Sequence, residues 1–225
     1  MHVRDAVAGR FSCRAFLDKP VPAAVVRDLL ARAARAPSGS NIQPWRVDVL
    51  AGPALAALKD LIRPRLGQLP KGEGTEYQVF PPAMHEPFRS RRFAVGEQLY
   101  RSLGIAREDR PARLAQYGRN MMFFDAPVGL FFSIDRALGA AQWADLGMFM
   151  QTFMLLAHAE GLATCAQEAW AVFSRTVSAF LDLPDDHILF CGMALGYADH
   201  DALINSWRTT REPVERFATF RGFEG

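Results

Sequence analysis

The chain has 225 residues, half of them hydrophobic and 22% charged. This is a globular composition that excludes a disordered, collagen-like or coiled-coil protein and suffices to bury a sizeable core. With 26 basic against 24 acidic residues the formal charge is +2, so no general attraction to nucleic acid or anionic lipid is expected.

In chain order, Val3 to Gly9 reads as a short helix, followed by an alternating segment, RFSCRAF, at 10–16. Val25, Val26, Leu29, Leu30 and Ala33 recur at helical spacing and predict a helix from about Ala23 to Arg35. It ends in APSGSNIQPW (36–45), a loop rich in turn-forming residues, after which Trp45 to Leu50 reads as a strand. A helix is expected at about 54–65. Residues 67–92 are the least regular stretch, with four prolines, three glycines and scattered aromatics. Such a stretch is a functional flap or a disordered segment, and Tyr77, Phe80 and Phe88 argue for the flap. Helices follow at about 93–103 and 110–122, and PVGLFFSI (127–134) is a buried strand. The helix at about 140–160 is apolar nearly all round and is expected in a core or a subunit interface. A helix at about 171–182 and a central strand at 188–195 precede a tail, 200–225, without strong periodicity. The economical reading is one α+β domain over 1–225, with 67–92 as an excursion over the active site.

Cys13, Cys165 and Cys191 are odd in number and far apart, which argues for reduced, mostly buried thiols and against a disulfide framework or thiolate metal site. The five histidines fall in no metal-ligand pairing. The N-terminal residues hold no long apolar run, and the most apolar stretch, 143–157, is broken by Asp145 and Gln151. The expectation is a soluble cytoplasmic protein with no metal, no membrane and no nucleic-acid partner.

Three segments carry candidate chemistry. If 10–14 is extended, Arg10, Ser12 and Arg14 share one face and offer only donors, suited to a phosphate or the edge of an electron-rich heterocycle. The alternative is a solvated basic edge. Pro37-Ser38-Gly39-Ser40-Asn41 places small and amide side chains where a ligand can approach backbone; the alternative is a helix cap and turn. Arg208 and Arg211, three residues apart, face one way on a helical turn, or form a solvated face. Glu168, next to Gln167, is a cap or a ligand contact. GxSxG, GxGxxG and P-loop motifs are absent.

Taken together and in order, RFSCRAF, Pro20-Val21, APSGSNIQPW, GLATCAQEAW (161–170), GMALGYAD (192–199) and RTTREP (208–213) resemble the FMN-dependent nitroreductase family. The resemblance implies a central mixed β-sheet flanked by helices and an intertwined homodimer with FMN at the interface. It implies that Arg10 and Arg211, helped by Arg208, hold the flavin phosphate, with Ser12 between the two arginines of RxSxR. Arg14 would lie by the pyrimidine edge. Pro37, Ser38, Gly39 and Asn41 of the other subunit would run along the ribityl chain and ring, and Gln167 and Glu168 beside the reactive edge. No protein side chain is then a catalytic nucleophile; flavin N5 is the reactive centre. Three positions depart from the family pattern: Phe11 stands where a second arginine is common, Ala169 where glycine is, and Ala198 where proline is.

The implied activity is ping-pong hydride transfer from NADH or NADPH to a nitroaromatic or quinone-type small-molecule acceptor. Reductive dehalogenation, enone reduction or oxygen-dependent flavin chemistry on the same fold is the alternative. A non-catalytic flavin-binding protein is the reading from another class.

Overall fold

The computed structural model describes residues 1–223. Its centre is a four-stranded sheet of β1 (Arg46–Ala51), β2 (Val128–Asp135), β3 (Ala163–Gln167) and β4 (His187–Gly196), in the order β1-β2-β4-β3. All three strand pairings are antiparallel. The mixed character expected of the sheet is confined to one parallel bridge, Ser12 beside Thr164, where the RFSCRAF segment runs along β3.

Apolar cores cover both faces. Under one face lie α3 (Gly52–Ile62), with Leu55, Leu58 and Ile62 at helical spacing, and the aromatic group Phe123, Phe131, Trp170 and Phe173. Over the other lie α2 (Ala23–Ala33), through Val26, Leu29 and Ala33, and α6 (Ala140–Ala159), through Leu146, Phe149, Met150 and Phe153. Successive strand residues point to opposite faces, so Phe131 enters the first core and Phe132 the second. Because both faces are covered, β2 and β4 read as continuous apolar runs. Fully burying each large side chain contributes about 1.5–3 kcal/mol. Gly192 is required by this packing: a Cβ there would stand 2.4 Å from Cδ1 of Trp170.

Several boundaries differ from expectation. β3 was hidden within GLATCAQEAW, a strand of only five residues with Thr164 and Gln167 among its buried positions. The helix expected at 110–122 closes as α5 (Arg110–Gly118), and a tight turn follows in which Phe123 and Phe124 adopt positive φ and enter the core. The helix expected from 171 begins at Ser174 (α7, Ser174–Leu181), after a turn over Glu168–Phe173. α1 (Val3–Gly9) forms as expected. α4 (Phe88–Ser102) starts five residues before the expected 93 and buries none of its residues.

The first part of the 67–92 stretch is pinned to the body. Glu73 accepts from Arg65 Nη1 at 2.9 Å and from the Thr176 N–H at 3.1 Å. The Tyr77 hydroxyl donates to the Phe190 carbonyl, and its ring packs on Trp143 and Phe190. Tyr77 is thus an anchor rather than an exposed roof residue. Phe80 and Phe88 stay about half exposed, at 46% and 50%, with Arg92 over the Phe80 ring at 4.0 Å.

Candidate functional site

A cavity of about 450 Å³ opens where the two ends of the chain meet. The 10–14 segment supplies Arg10, Phe11, Ser12 and Arg14; the tail supplies Trp207, Arg208 and Arg211; α4 walls it with Val95 and Leu99. The segment is held in place by backbone pairing: the Cys13 N–H donates to the Thr164 carbonyl at 2.9 Å, and the Leu17 N–H to Tyr197 at 2.9 Å. Cys13 is fully buried and faces the core, as alternation requires. Phe11 departs from that alternation. It lines the cavity with the arginines, because the Arg208 guanidinium lies over its ring at 3.8 Å.

The cations here are arranged without counter-charges. Among the described residues Arg10, Arg14, Arg208 and Arg211 make no salt bridge, whereas Arg65, Arg113 and Arg136 each pair with a carboxylate within 3 Å. Arg14, Arg208 and Arg211 are oriented instead by carbonyls. Arg14 Nη1 donates to Ser12 at 3.2 Å, Arg208 Nη1 to Asn205 at 2.8 Å and to Trp207 at 2.9 Å, and Arg211 Nη1 to Thr210 at 2.9 Å. Burial and then the neighbouring Arg211 charge lower the pKa of Arg10. His158 is lowered by burial and then by Arg10 and Arg208. The Trp207 indole N–H is buried without a partner. Clustered, uncompensated guanidiniums and an unused donor form a donor-only set, which an oxyanion satisfies.

The remaining sequence candidates lie outside this cavity. Gln167, at the end of β3 and 2% exposed, donates Nε2 to the Asn120 carbonyl at 2.8 Å, while its buried Oε1 has no partner. Glu168 opens the following turn; protein packed beside its carboxyl raises its pKa, although the residue keeps solvent access. The 37–41 loop sits against α6, where the Gly39 N–H donates to Asp145 Oδ2 at 3.1 Å. Ser38 Oγ accepts from the Gln43 N–H at 3.0 Å. Ser40, Asn41 and Gln43 take φ of 50°, 56° and 53°, a left-handed conformation that costs non-glycine residues energy and clusters at binding loops. One chain therefore brings together Arg10, Ser12, Arg14, Arg208 and Arg211, and leaves Pro37, Ser38, Gly39, Asn41, Gln167 and Glu168 apart from them.

Sequence reasoning turned Phe11 away from the donor face and so missed it as a cavity residue. The candidate segment 205–213 contains Asn205 and Trp207, but only its two arginines were given a role; the buried amide and the indole donor were the available signal.

A parallel bridge beside β3, a helix-covered antiparallel sheet and a cationic cavity built from both chain termini describe a nitroreductase-type fold and site. The description "Nitroreductase family" matches residues 7–197, and the chain belongs to that family. It is 38% identical over 218 residues to the chloronitrobenzene nitroreductase of Comamonas testosteroni, covering 97% of this chain and 96% of that protein. To the 4-nitrobenzoate reductase of Nocardioides sp. (strain LMS-CY) it is 41% identical over 216 residues, covering 95% and 87%. Among solved structures, the FMN and NADPH-dependent nitroreductase NfnB from Sphigopyxis sp. strain HMH superposes with a TM-score of 0.96 at 44% identity, over 99% of this chain and 100% of that one. The FMN-dependent NfnB from Mycobacterium smegmatis, solved with NADPH, gives 0.92 at 28% identity over 97% of each chain.

Proposed function

We propose that this chain is an FMN-dependent oxidoreductase that takes reducing equivalents from NADPH or NADH and passes them to nitroaromatic acceptors. The observation that carries this reading is the uncompensated group of Arg10, Arg208 and Arg211 around a cavity with an unused indole donor. The set fits a phosphomonoester dianion, the anionic end of FMN. The relatives' printed activities on chloronitrobenzene and 4-nitrobenzoate give the acceptor class.

When bound, FMN supplies hydride acceptance and donation. The chain's own residues bind, orient and polarise. Arg10 and Arg211, with Arg208 as a third donor, grip the phosphate through charge-assisted hydrogen bonds, and the Ser12 hydroxyl adds a neutral donor. Arg14, on the same cavity wall, would lie by the pyrimidine edge and favour the reduced state through its positive charge. Gln167 offers its unused amide oxygen, and Glu168 stands beside it at the reactive edge. Donor and acceptor occupy the same space in turn, a ping-pong order that requires no catalytic nucleophile and no separate dinucleotide fold.

The active form in this reading is a homodimer. Ala144, Gly147, Met148 and Gln151 form an exposed and mostly apolar face on α6, and the 37–41 loop is fastened beside it through Asp145. A second copy seated on that face would bring its Pro37, Ser38, Gly39 and Asn41 to the ribityl chain and ring of a flavin whose phosphate the first chain grips. The 67–92 stretch belongs to the same single domain, with its outer part, around Phe80 and Phe88, as a flap over the acceptor. No helix among the described residues is long and apolar enough to cross a membrane. The three buried thiols, none in a disulfide, fit a cytoplasmic setting.

The test is anaerobic. Purified protein loaded with FMN is titrated with NADPH, and then with nitrobenzene or 4-nitrobenzoate. Bleaching of the flavin band by NADPH and its return with the nitroarene is the expected result. A flavin that NADPH leaves oxidised contradicts the reading. Bleaching that only oxygen or an enone reverses moves the acceptor class to one of the alternatives.

A further inference from the structure

We infer that Asn205 is a positioning residue that locks the two arms of the phosphate cavity together. The inference rests on the FMN reading above and extends it to a residue that touches no ligand.

Asn205 is 4% exposed and every polar atom of its side chain is used. Its Oδ1 accepts from the Arg14 backbone N–H at 2.9 Å. Its Nδ2 donates to the Ala15 carbonyl at 2.9 Å and to the Asp199 carbonyl at 2.7 Å, and lies 3.5 Å from Cys13 Sγ. Its own carbonyl accepts from Arg208 Nη1 at 2.8 Å. One buried amide therefore fastens the N-terminal arm, the end of the sheet and the start of the tail, and its backbone fixes the guanidinium of the residue three further on. The bonds to Arg14 and Ala15 span 191 and 190 positions of sequence. The tail has little structure of its own to set where it lies: residues 206–223 hold one short turn and no buried residue, and beyond Asn205 and Arg208 it is tied to α4 by the exposed pair of Glu212 with Arg91 at 3.0 Å. The Phe11 ring, with Arg208 over it at 3.8 Å, provides a second contact between the arms.

Only an amide meets this set of partners. A carboxylate keeps the acceptor for Arg14 but faces two carbonyls with no donor, and alanine leaves an N–H and two carbonyls without their bonds. In either case the tail loses its register, and Arg208 and Arg211 no longer converge with Arg10. The phosphate end of the ligand is affected more than its ring.

The readout is the ratio of FMN to riboflavin affinity, which a general loss of stability does not change. Fluorescence titration of the apo-chain with both flavins is expected to show wild type favouring FMN. N205D and N205A should cut that preference about tenfold, the scale of one charge-assisted hydrogen bond. In a double-mutant cycle, N205A should cost less FMN affinity in the R208A background than in the wild type, because the share of its effect that passes through Arg208 is already lost, while the share through Arg211 remains. N205S, whose hydroxyl can keep one of the bonds to the N-terminal arm, should lower the ratio part of the way and decides the matter if N205D and N205A fail to fold. A ratio unchanged within about twofold in the folded variants, or additive effects in the cycle, overturns the inference alone. A wild type that binds both flavins equally, or neither, overturns the FMN reading and this inference with it.

Discussion

The guanidinium of Arg208 lies 3.8 Å from the centroid of the Phe11 ring. Phe11 stands where the resemblance to the family places a second arginine, and an arginine from the opposite terminus lies over its ring. A cation–π contact of this kind contributes about 0.5–2 kcal/mol, depending on how far water is excluded. Arg208→Lys keeps the charge but loses the planar stack and the fork that reaches the Asn205 and Trp207 carbonyls. FMN binding should weaken roughly threefold to tenfold by fluorescence titration. Equal affinity would remove the stacking geometry from the site.

Arg211→Ala removes a guanidinium from the phosphate grip. The loss of a hydrogen bond to a charged partner, about 1.5–3 kcal/mol, corresponds to roughly 10-fold to 150-fold weaker FMN binding. The salt dependence of FMN binding should also become shallower. A variant that purifies fully loaded and keeps its flavin on dilution would contradict the assignment.

Arg14→Ala acts at the other end of the ligand. Removing a charge-assisted bond that favours the reduced state should lower the two-electron midpoint potential by about 30–60 mV, since 30 mV corresponds to about 1.4 kcal/mol. Reduction by NADPH should slow in parallel. Spectroelectrochemistry that finds the wild-type potential would end the proposed role of Arg14.

Glu73 fastens the base of the 67–92 excursion, accepting from Arg65 and from the Thr176 N–H with a side chain only 12% exposed. Glu73→Ala should cost about 1–2 kcal/mol, at the low end for charged hydrogen bonds because Arg65 is partly open to solvent. Tryptic cleavage at the exposed Lys71 should accelerate. An unchanged digestion pattern would mean that Tyr77, the Arg136–Glu76 pair and the backbone bonds hold the segment without the Glu73 carboxylate.

His158 sits below its ordinary value of 6.5, from burial and from Arg10 and Arg208. The folded state therefore prefers the neutral ring, whereas the unfolded chain protonates near 6.5. The stability from this group is present above 6.5 and is lost as pH falls through the lower folded value. His158→Gln should flatten that part of the melting-temperature profile. A wild-type and variant profile that stay parallel below pH 6.5 would show that the ring does not titrate differently on folding.

The legible parts of the sequence were those that local pattern encodes. β2 and β4 stand out because burial on both faces leaves uninterrupted apolar runs, and α2 and α6 because their apolar spacing or density is helical. β3 was missed because it has five residues, and two polar ones, Thr164 and Gln167, are buried by neighbours distant in sequence. α4 began earlier than read because it buries no residue and so carries no apolar face to mark its start. At the site, Arg10, Ser12, Arg14, Arg208 and Arg211 were read from their strings. The roles of Phe11, Trp207 and Asn205 depend on two termini meeting in space, and no local periodicity records that meeting.

The most direct measurement of the central claim is a crystal structure of the protein grown with FMN. The phosphate should lie within hydrogen-bond reach of Arg10 and Arg211 of one chain, with the 37–41 loop of a second copy along the flavin. A phosphate held elsewhere, or a flavin enclosed by a single chain, would contradict it.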